Sequence, residues 1–232
     1  MSDAALPQLR VVCEGDTDFI VLDAALSAVY GEHVATMVQP QTSRFAGIAY
    51  TEMGSGWRGV RKWCEQARDE LGGLGARLEL MAALSAVDAL IVHVDADIAD
   101  ELGCRHPCPP ASDTTDAVRL RVLEWAGEEA VPGGVELCMP AQSTETWVVA
   151  ALAPDSAFND GDNECKDAEA FLCGRRGPKL VRRRSGSRKG YQKNTGAFQA
   201  VAPAIRASWP RVEATSSEAA RFSEELRAAA RP

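Results

Sequence analysis

The sequence predicts an α/β fold, a parallel sheet flanked by helices. Three short apolar runs rich in β-branched residues, Leu9–Cys13, Leu90–Val94 and Val135–Met139, read as buried parallel strands. Between them, apolar residues recur at helical spacing, as Phe19, Ile20, Leu22, Ala25, Leu26 and Val29 do before Gly31. Two of the three runs lead straight into acids, Glu14 and Asp95. Open α/β sheets bind ligands beyond the carboxyl ends of their strands, so both acids fall where chemistry is expected.

The chain has 232 residues, enough for one large domain or a domain with an appendage. Residues 1–152 read as the α/β core, and 153–232 as a basic segment and C-terminal helices packed on it. Hydrophobic residues make up 46%, yet no apolar run approaches the roughly 18 residues of a membrane span. Met1-Ser2-Asp3-Ala4 lacks the basic start and apolar stretch of a signal peptide. A soluble cytoplasmic protein, with no membrane partner, is expected. Of the seven cysteines, Cys13, Cys64, Cys138 and Cys173 sit in apolar segments, which suits reduced thiols better than a disulfide framework. Cys104-Arg105-His106-Pro107-Cys108 has metal-ligating residue types but no second Cys/His pair, and reads as a plain loop.

Taken in order, Leu9–Cys13 is the first strand, and Gly15 turns the chain. Asp16, Thr17 or Asp18 caps a helix running to Tyr30. His33 to Gln39 reads as a second strand, and 40–57 as a long loop rich in Gly, Ser and Thr. Helices are expected at about Arg58–Leu71 and about Ala76–Ala86, separated by Gly72-Gly73-Leu74-Gly75. Arg58, Arg61, Lys62 and Arg68 give the first a basic face that reads as solvated. The central strand then leads into Asp95-Ala96-Asp97. A Pro-rich loop precedes a helix from about Thr114 to Glu129, capped by Ser112 or Asp113. After the strand Val135–Met139, a short helix runs through Leu152. Glu145 opens it, either as a first-turn acid favoured by the helix dipole or as a third functional carboxylate. An acidic loop spans 153–164. Helices follow at about Lys166–Cys173, Gly196–Ser208 and Ser217–Arg231.

On an extended backbone Asp95 and Asp97 point the same way, and like charges held that close repel unless a cation lies between them. Mg²⁺ accepts one or two such carboxylates and leaves room for phosphate oxygens. The net charge of −8 is uneven. Residues 175–193 hold nine basic side chains and no acid: Arg175, Arg176, Lys179, Arg182, Arg183, Arg184, Arg188, Lys189 and Lys193. Taking these nine from the 25 Lys and Arg leaves 16 against 33 acids. The segment reads either as a solvated, disordered loop around Ser185-Gly186-Ser187 or as an arm that contacts nucleic-acid phosphates.

The strand ending in Glu14-Gly15 with acids at Asp16 and Asp18, and the later strand ending in Asp95-Ala96-Asp97, resemble the topoisomerase–primase (TOPRIM) fold across roughly residues 8–150. Among TOPRIM proteins the chain is most similar to small stand-alone members and to the nuclease half of OLD-type (overcoming lysogenization defect) enzymes, many of which sit in bacterial antiphage systems. The resemblance implies a Rossmann-like parallel sheet and metal-dependent phosphoryl transfer on nucleic acid. It implies Glu14 as metal ligand or general base, Asp95 and Asp97 as ligands of Mg²⁺ or Mn²⁺, and Asp18 and Glu145 as second-site carboxylates. It also implies a downstream basic residue that assists catalysis, for which Lys179, Lys189 and Lys193 are candidates, and a partner ATPase or effector subunit. The C-terminal third carries no clear family match.

Rival readings remain. A haloacid-dehalogenase phosphatase also uses Asp-x-Asp, but requires Thr or Val where Ala99 stands, and a glycosyltransferase leaves Glu14-Gly15 without a role. A non-catalytic module that binds nucleic acid or a partner protein fits the basic arm equally well.

Overall fold

The computed structural model describes residues 5–45, 48–175, 179–184 and 190–229. Strand β1 (Gln8–Val12) leads into α1 (Asp16–Tyr30) and β2 (Val34–Gln39). A hairpin follows, β3 (Thr42–Phe45) and β4 (Ile48–Thr51), then α2 (Trp57–Leu71) and α3 (Leu74–Ser85). Next come β5 (Ala89–His93), a 3₁₀ turn over Ala96–Ile98, α4 (Ala99–Leu102), α5 (Ser112–Ala126), β6 (Val135–Cys138) and α6 (Glu145–Leu152). The last third holds α7 (Ala168–Gly174), a second hairpin β7 (Val181–Arg183) and β8 (Tyr191–Lys193), then α8 (Thr195–Ala207), α9 (Trp209–Thr215) and α10 (Ser217–Ala229).

The expected α/β architecture is present: a four-stranded sheet in the order β2-β1-β5-β6, with every pairing parallel. Alternation along each strand feeds two cores. Leu9, Val11, Cys13, Ala89 and Ile91 face one side and pack with α1, α6, α8, α9 and α10. Val12, Leu90, Val92 and Val94 face the other and pack with α2, α3 and α5. Burial on both faces explains why these runs are mainly apolar in the sequence. The chain runs from β1 outward to β2, then crosses back to place β5 on the far side of β1. The boundary between β1 and β5 is therefore the point where strand order reverses, the favoured ligand crevice of such sheets.

Several expectations need correction. The loop expected over 40–57 contains the β3–β4 hairpin, pairing Thr42 with Thr51 and Phe45 with Ile48; its β-branched Thr and Ile suit strands. Strand β5 stops at His93 and does not reach Asp97. The amides of Ala96 and Asp97 donate to Pro140 O (2.9 Å) and Gln142 O (3.2 Å), drawing this stretch out of the strand path into the 3₁₀ turn. Three helices close the chain where two were expected. Ser216 breaks the continuity, and the buried Glu164 accepts from Ser216 Oγ, Ser217 N, Ser217 Oγ and Glu218 N at 2.6–3.0 Å. A remote carboxylate thus satisfies the amides of the α10 N-terminus, and local sequence carries no sign of it. The expectation of thiols alone is also corrected. Cys108 and Cys165, 57 residues apart, form a disulfide with Cα atoms 5.6 Å apart. The other five cysteines are free. The two loops meet only in the fold, so spacing could not reveal the pair.

The C-terminal helices share a core with the sheet. Trp147 of α6 meets Trp209 of α9 edge to face at 5.4 Å and stacks on Phe222 of α10 at 6.2 Å. The two indole N–H groups find Ser216 and Ser223 hydroxyls, so both rings are buried without polar cost. Among the described residues no helix is long and apolar enough to cross a membrane.

Candidate functional site

Strand β1 ends at the reversal point and hands the chain to Glu14, which is half-buried. Its backbone carbonyl accepts from Gly56 N at 2.8 Å, tying it to the loop before α2. Its Oε1 accepts from the backbone N–H of Asp95 at 3.0 Å, so the two strand ends are joined directly. Asp95 is 5% exposed and reads as a hub. Its Oδ1 lies 3.1 Å from His93 Nε2 and accepts from Thr144 N at 3.1 Å. A carboxylate only accepts, so His93 Nε2 carries the proton here. Thr144 Oγ1 donates to Asp18 Oδ1 at 3.0 Å, which brings the first turn of α1 into the same network.

The basic hairpin supplies the cation of this network. Lys193 Nζ lies 2.9 Å from both carboxylate oxygens of Glu145, 3.5 Å from Asp18 and 3.6 Å from Glu169. Glu145 is completely buried at the start of α6. Glu145 thus stands in the first turn of α6 and also has an ion-pair partner within the acid cluster, which accords with either of its two readings.

The electrostatics follow from this crowding. Burial first, then the charges of Asp95, Asp18 and Asp97, push Glu14 well above the ordinary carboxylate range. Glu145 rises to about 7: burial outweighs the opposing pull of Lys193. Burial of its surroundings and the charge of Asp95 push Asp97 upward too, although its side chain reaches solvent. Burial alone would discharge Lys193, but Glu145, Asp18, Asp95 and Glu169 raise it well above its usual value. His93 behaves alike: burial would lower it, and Asp95, by charge and by hydrogen bond, lifts it overall.

Glu14, Asp18, Asp95, Asp97, Glu145 and Lys193 are thus gathered at one sheet edge. The expectation that Asp95 and Asp97 point the same way is corrected: Asp95 is buried and Asp97 exposed, because the 3₁₀ turn rotates one against the other. Lys193, expected among the phosphate-contacting residues and as one candidate for assisting catalysis, lies against the carboxylates of Glu145, Asp18 and Glu169. Arg175 and Lys179 donate to backbone carbonyls, of Leu152 at 2.7 Å and Arg175 at 2.8 Å. Arg182, Arg183 and Arg184 are exposed beside the site. Arg176, Arg188 and Lys189 lie outside the described residues.

Sequence reasoning missed four contributors. His93 left a signal: a polar residue in a buried run, two before an acid and hence on its side of the strand. Thr144, Glu169 and Arg105, whose Nη2 donates to Asp97 O at 2.6 Å, left none.

The donors suit a hard cation in kind, since all are carboxylates, and in charge, since Glu14 and Asp97 are pushed toward holding protons by their neighbours. Among the described residues, no three His, Cys, Asp or Glu side chains already converge as a metal-holding group. The fit is therefore one of chemistry and charge, in which a cation would replace protons. Compared with known proteins, the chain matches no family model, no curated protein and no solved structure.

Proposed function

We propose that this chain is a TOPRIM-like, metal-dependent nuclease. One observation carries the reading: Glu14, Asp18, Asp95 and Asp97 crowd the reversal point between β1 and β5, with Lys193 of the basic hairpin beside them. Glu14, Asp95 and Asp97 would hold Mg²⁺ or Mn²⁺. When bound, the cation would neutralise phosphodiester oxygens and lower the pKa of water. Cation binding would favour the charged carboxylates of Glu14 and Asp97, which burial and their acidic neighbours push toward the protonated form. His93 and Thr144 fix the orientation of Asp95. Lys193 holds Glu145 and Asp18 and adds positive charge near a reacting phosphate. Arg182, Arg183 and Arg184, exposed on the hairpin, grip the polyanion, which the acidic body would otherwise repel.

A second reading is a nucleic-acid-binding or partner-binding subunit, docked to an ATPase or effector, with no catalysis. It is favoured by Lys193, which already neutralises part of the acid cluster without any metal. Cleavage by pure protein separates the two. Plasmid, linear duplex, single-stranded DNA and RNA are incubated with Mg²⁺ or Mn²⁺. Cleavage that stops in chelator and in Glu14→Gln supports the nuclease. Binding that persists in chelator, with no cleavage in either metal, assigns the chain to the binding reading.

A further inference from the structure

A ladder of aromatic and guanidinium groups borders the acids, and the nuclease reading leaves it without a role. Trp57 opens α2 immediately after Gly56, whose amide is bonded to Glu14 O at 2.8 Å. Its ring stacks on Trp125 of α5, with centroids 6.1 Å apart and planes 21° apart. Arg61 lies over Trp125 at 5.9 Å, and Arg58 over Trp57 at 4.5 Å.

Arg58 is the outermost member. Its Nη2 lies 2.6 Å from Glu101 Oε2 and its Cζ 4.5 Å from the centre of the Trp57 ring, yet the side chain is 68% exposed. An exposed arginine ordinarily keeps its rotamer freedom. Here Trp57 on one side and Glu101 on the other hold the guanidinium, while most of the side chain stays open to solvent. Glu101 sits on α4, just beyond Asp97. The Arg58–Glu101 pair therefore links the first turn of α2, which follows the Gly56 bonded to Glu14, to the helix that follows Asp97.

The ladder and the basic hairpin lie on opposite faces of the sheet. Trp57 and Trp125 belong with the α2 and α5 layer. Leu180 and Val181, at the root of the hairpin, pack in the layer of α1 and α8. A strand held by the hairpin and crossing the acids at the sheet edge would arrive at the ladder.

Resting on the nuclease reading, we propose that Arg58, backed by Trp57, is a stacking platform for an unpaired nucleobase, so that the strand entering this site is single-stranded or locally opened. Nucleobases stack on arginine planes as on aromatic rings, and such stacking tolerates any sequence because every base has a π-face. A base inside an intact duplex has no free face to offer. The other members of the ladder set the height and rigidity of the platform.

The test is binding by the full chain in chelator, read by fluorescence anisotropy on short oligodeoxythymidine and on an abasic strand of equal length. Wild type is expected to prefer the base-bearing strand by about tenfold, the size of one stacked base. Arg58→Lys keeps the charge, removes the plane and, at an exposed position, leaves the fold intact; it should abolish the preference without changing abasic affinity. Trp57→Leu should do the same, with circular dichroism as its folding control. Equal affinity of wild type for the two strands, or a preference that survives Arg58→Lys, overturns the proposal. The nuclease reading fails separately: cleavage without any preference for bases sinks only the platform. A base preference lost in Arg58→Lys, in a protein that cleaves nothing, keeps the platform and sinks the nuclease.

Discussion

Replacing Lys193 by Met removes the ammonium from among Glu145, Asp18 and Glu169 while keeping an unbranched apolar stem. Glu145 is completely buried, and its folded pKa of about 7 stands above its ordinary 4.5. Its contribution to stability is therefore fully present below the unfolded value and is lost as pH rises through about 7. At about pH 5.5 Glu145 is largely neutral and needs no counter-charge, so the substitution should cost only about 1 kcal/mol through Asp18 and Glu169. At about pH 8.5 the carboxylate is ionised in wild type, and in the variant it must either stay charged alone or take up a proton against the pH. Breaking a buried pair costs about 3–5 kcal/mol. Lys193 keeps 24% exposure, so the lower end, about 3 kcal/mol, applies. Urea unfolding of both proteins at the two pH values measures the difference. A cost that does not grow with pH, or that stays under about 1 kcal/mol at the higher pH, refutes the assignment of Lys193 as the counter-charge of Glu145.

Three further outcomes are expected. Asp95→Ala should destabilise by about 1–3 kcal/mol, since His93 Nε2 and Thr144 N lose their acceptor, while Asp95→Asn keeps an acceptor and costs less; chemical denaturation of the pair decides. Reducing the Cys108–Cys165 disulfide, which closes a separation of 57 residues, should lower stability by about 4 kcal/mol, and Cys108→Ser in the absence of reductant should match the reduced protein. Changing Arg182, Arg183 and Arg184 together to Ala should weaken nucleic-acid binding across sequences and flatten the salt dependence by at most about three units; unchanged affinity and slope would make the hairpin a protein-docking surface.

The parallel sheet was legible because its inner strands β1, β5 and β6 are packed on both faces and read as short, mainly apolar runs, each interrupted by one polar residue, Arg10, His93 or Glu136. The acids at the strand ends were legible because the apolar runs stop at Glu14 and Asp95, which marks the carboxyl ends of β1 and β5. The sequence could not reveal that Asp95 is buried and Asp97 exposed, because the 3₁₀ turn between them is set by the carbonyls of Pro140 and Gln142, more than 40 residues on. Nor could it separate Lys193 from its neighbours. All nine basic residues of 175–193 look alike in the chain, and only the register of β8 carries this one into the acids. The Cys108–Cys165 bridge and the capping of α10 by Glu164 are likewise contacts between distant loops. Such contacts leave no periodicity.

The central claim is that Glu14, Asp95 and Asp97 form a cation site. Its most direct test is titration of the full chain with Mn²⁺ by calorimetry, wild type against the double variant Glu14→Gln and Asp97→Asn. Both substitutions relieve repulsion, and Gln at position 14 keeps the acceptor for Asp95 N, so the variant should fold at least as well as wild type. Wild type is expected to bind Mn²⁺ with release of protons, seen as a heat that changes with the ionisation enthalpy of the buffer, and the variant to bind at least tenfold more weakly. Equal binding by the two proteins, or none by wild type, would contradict the account.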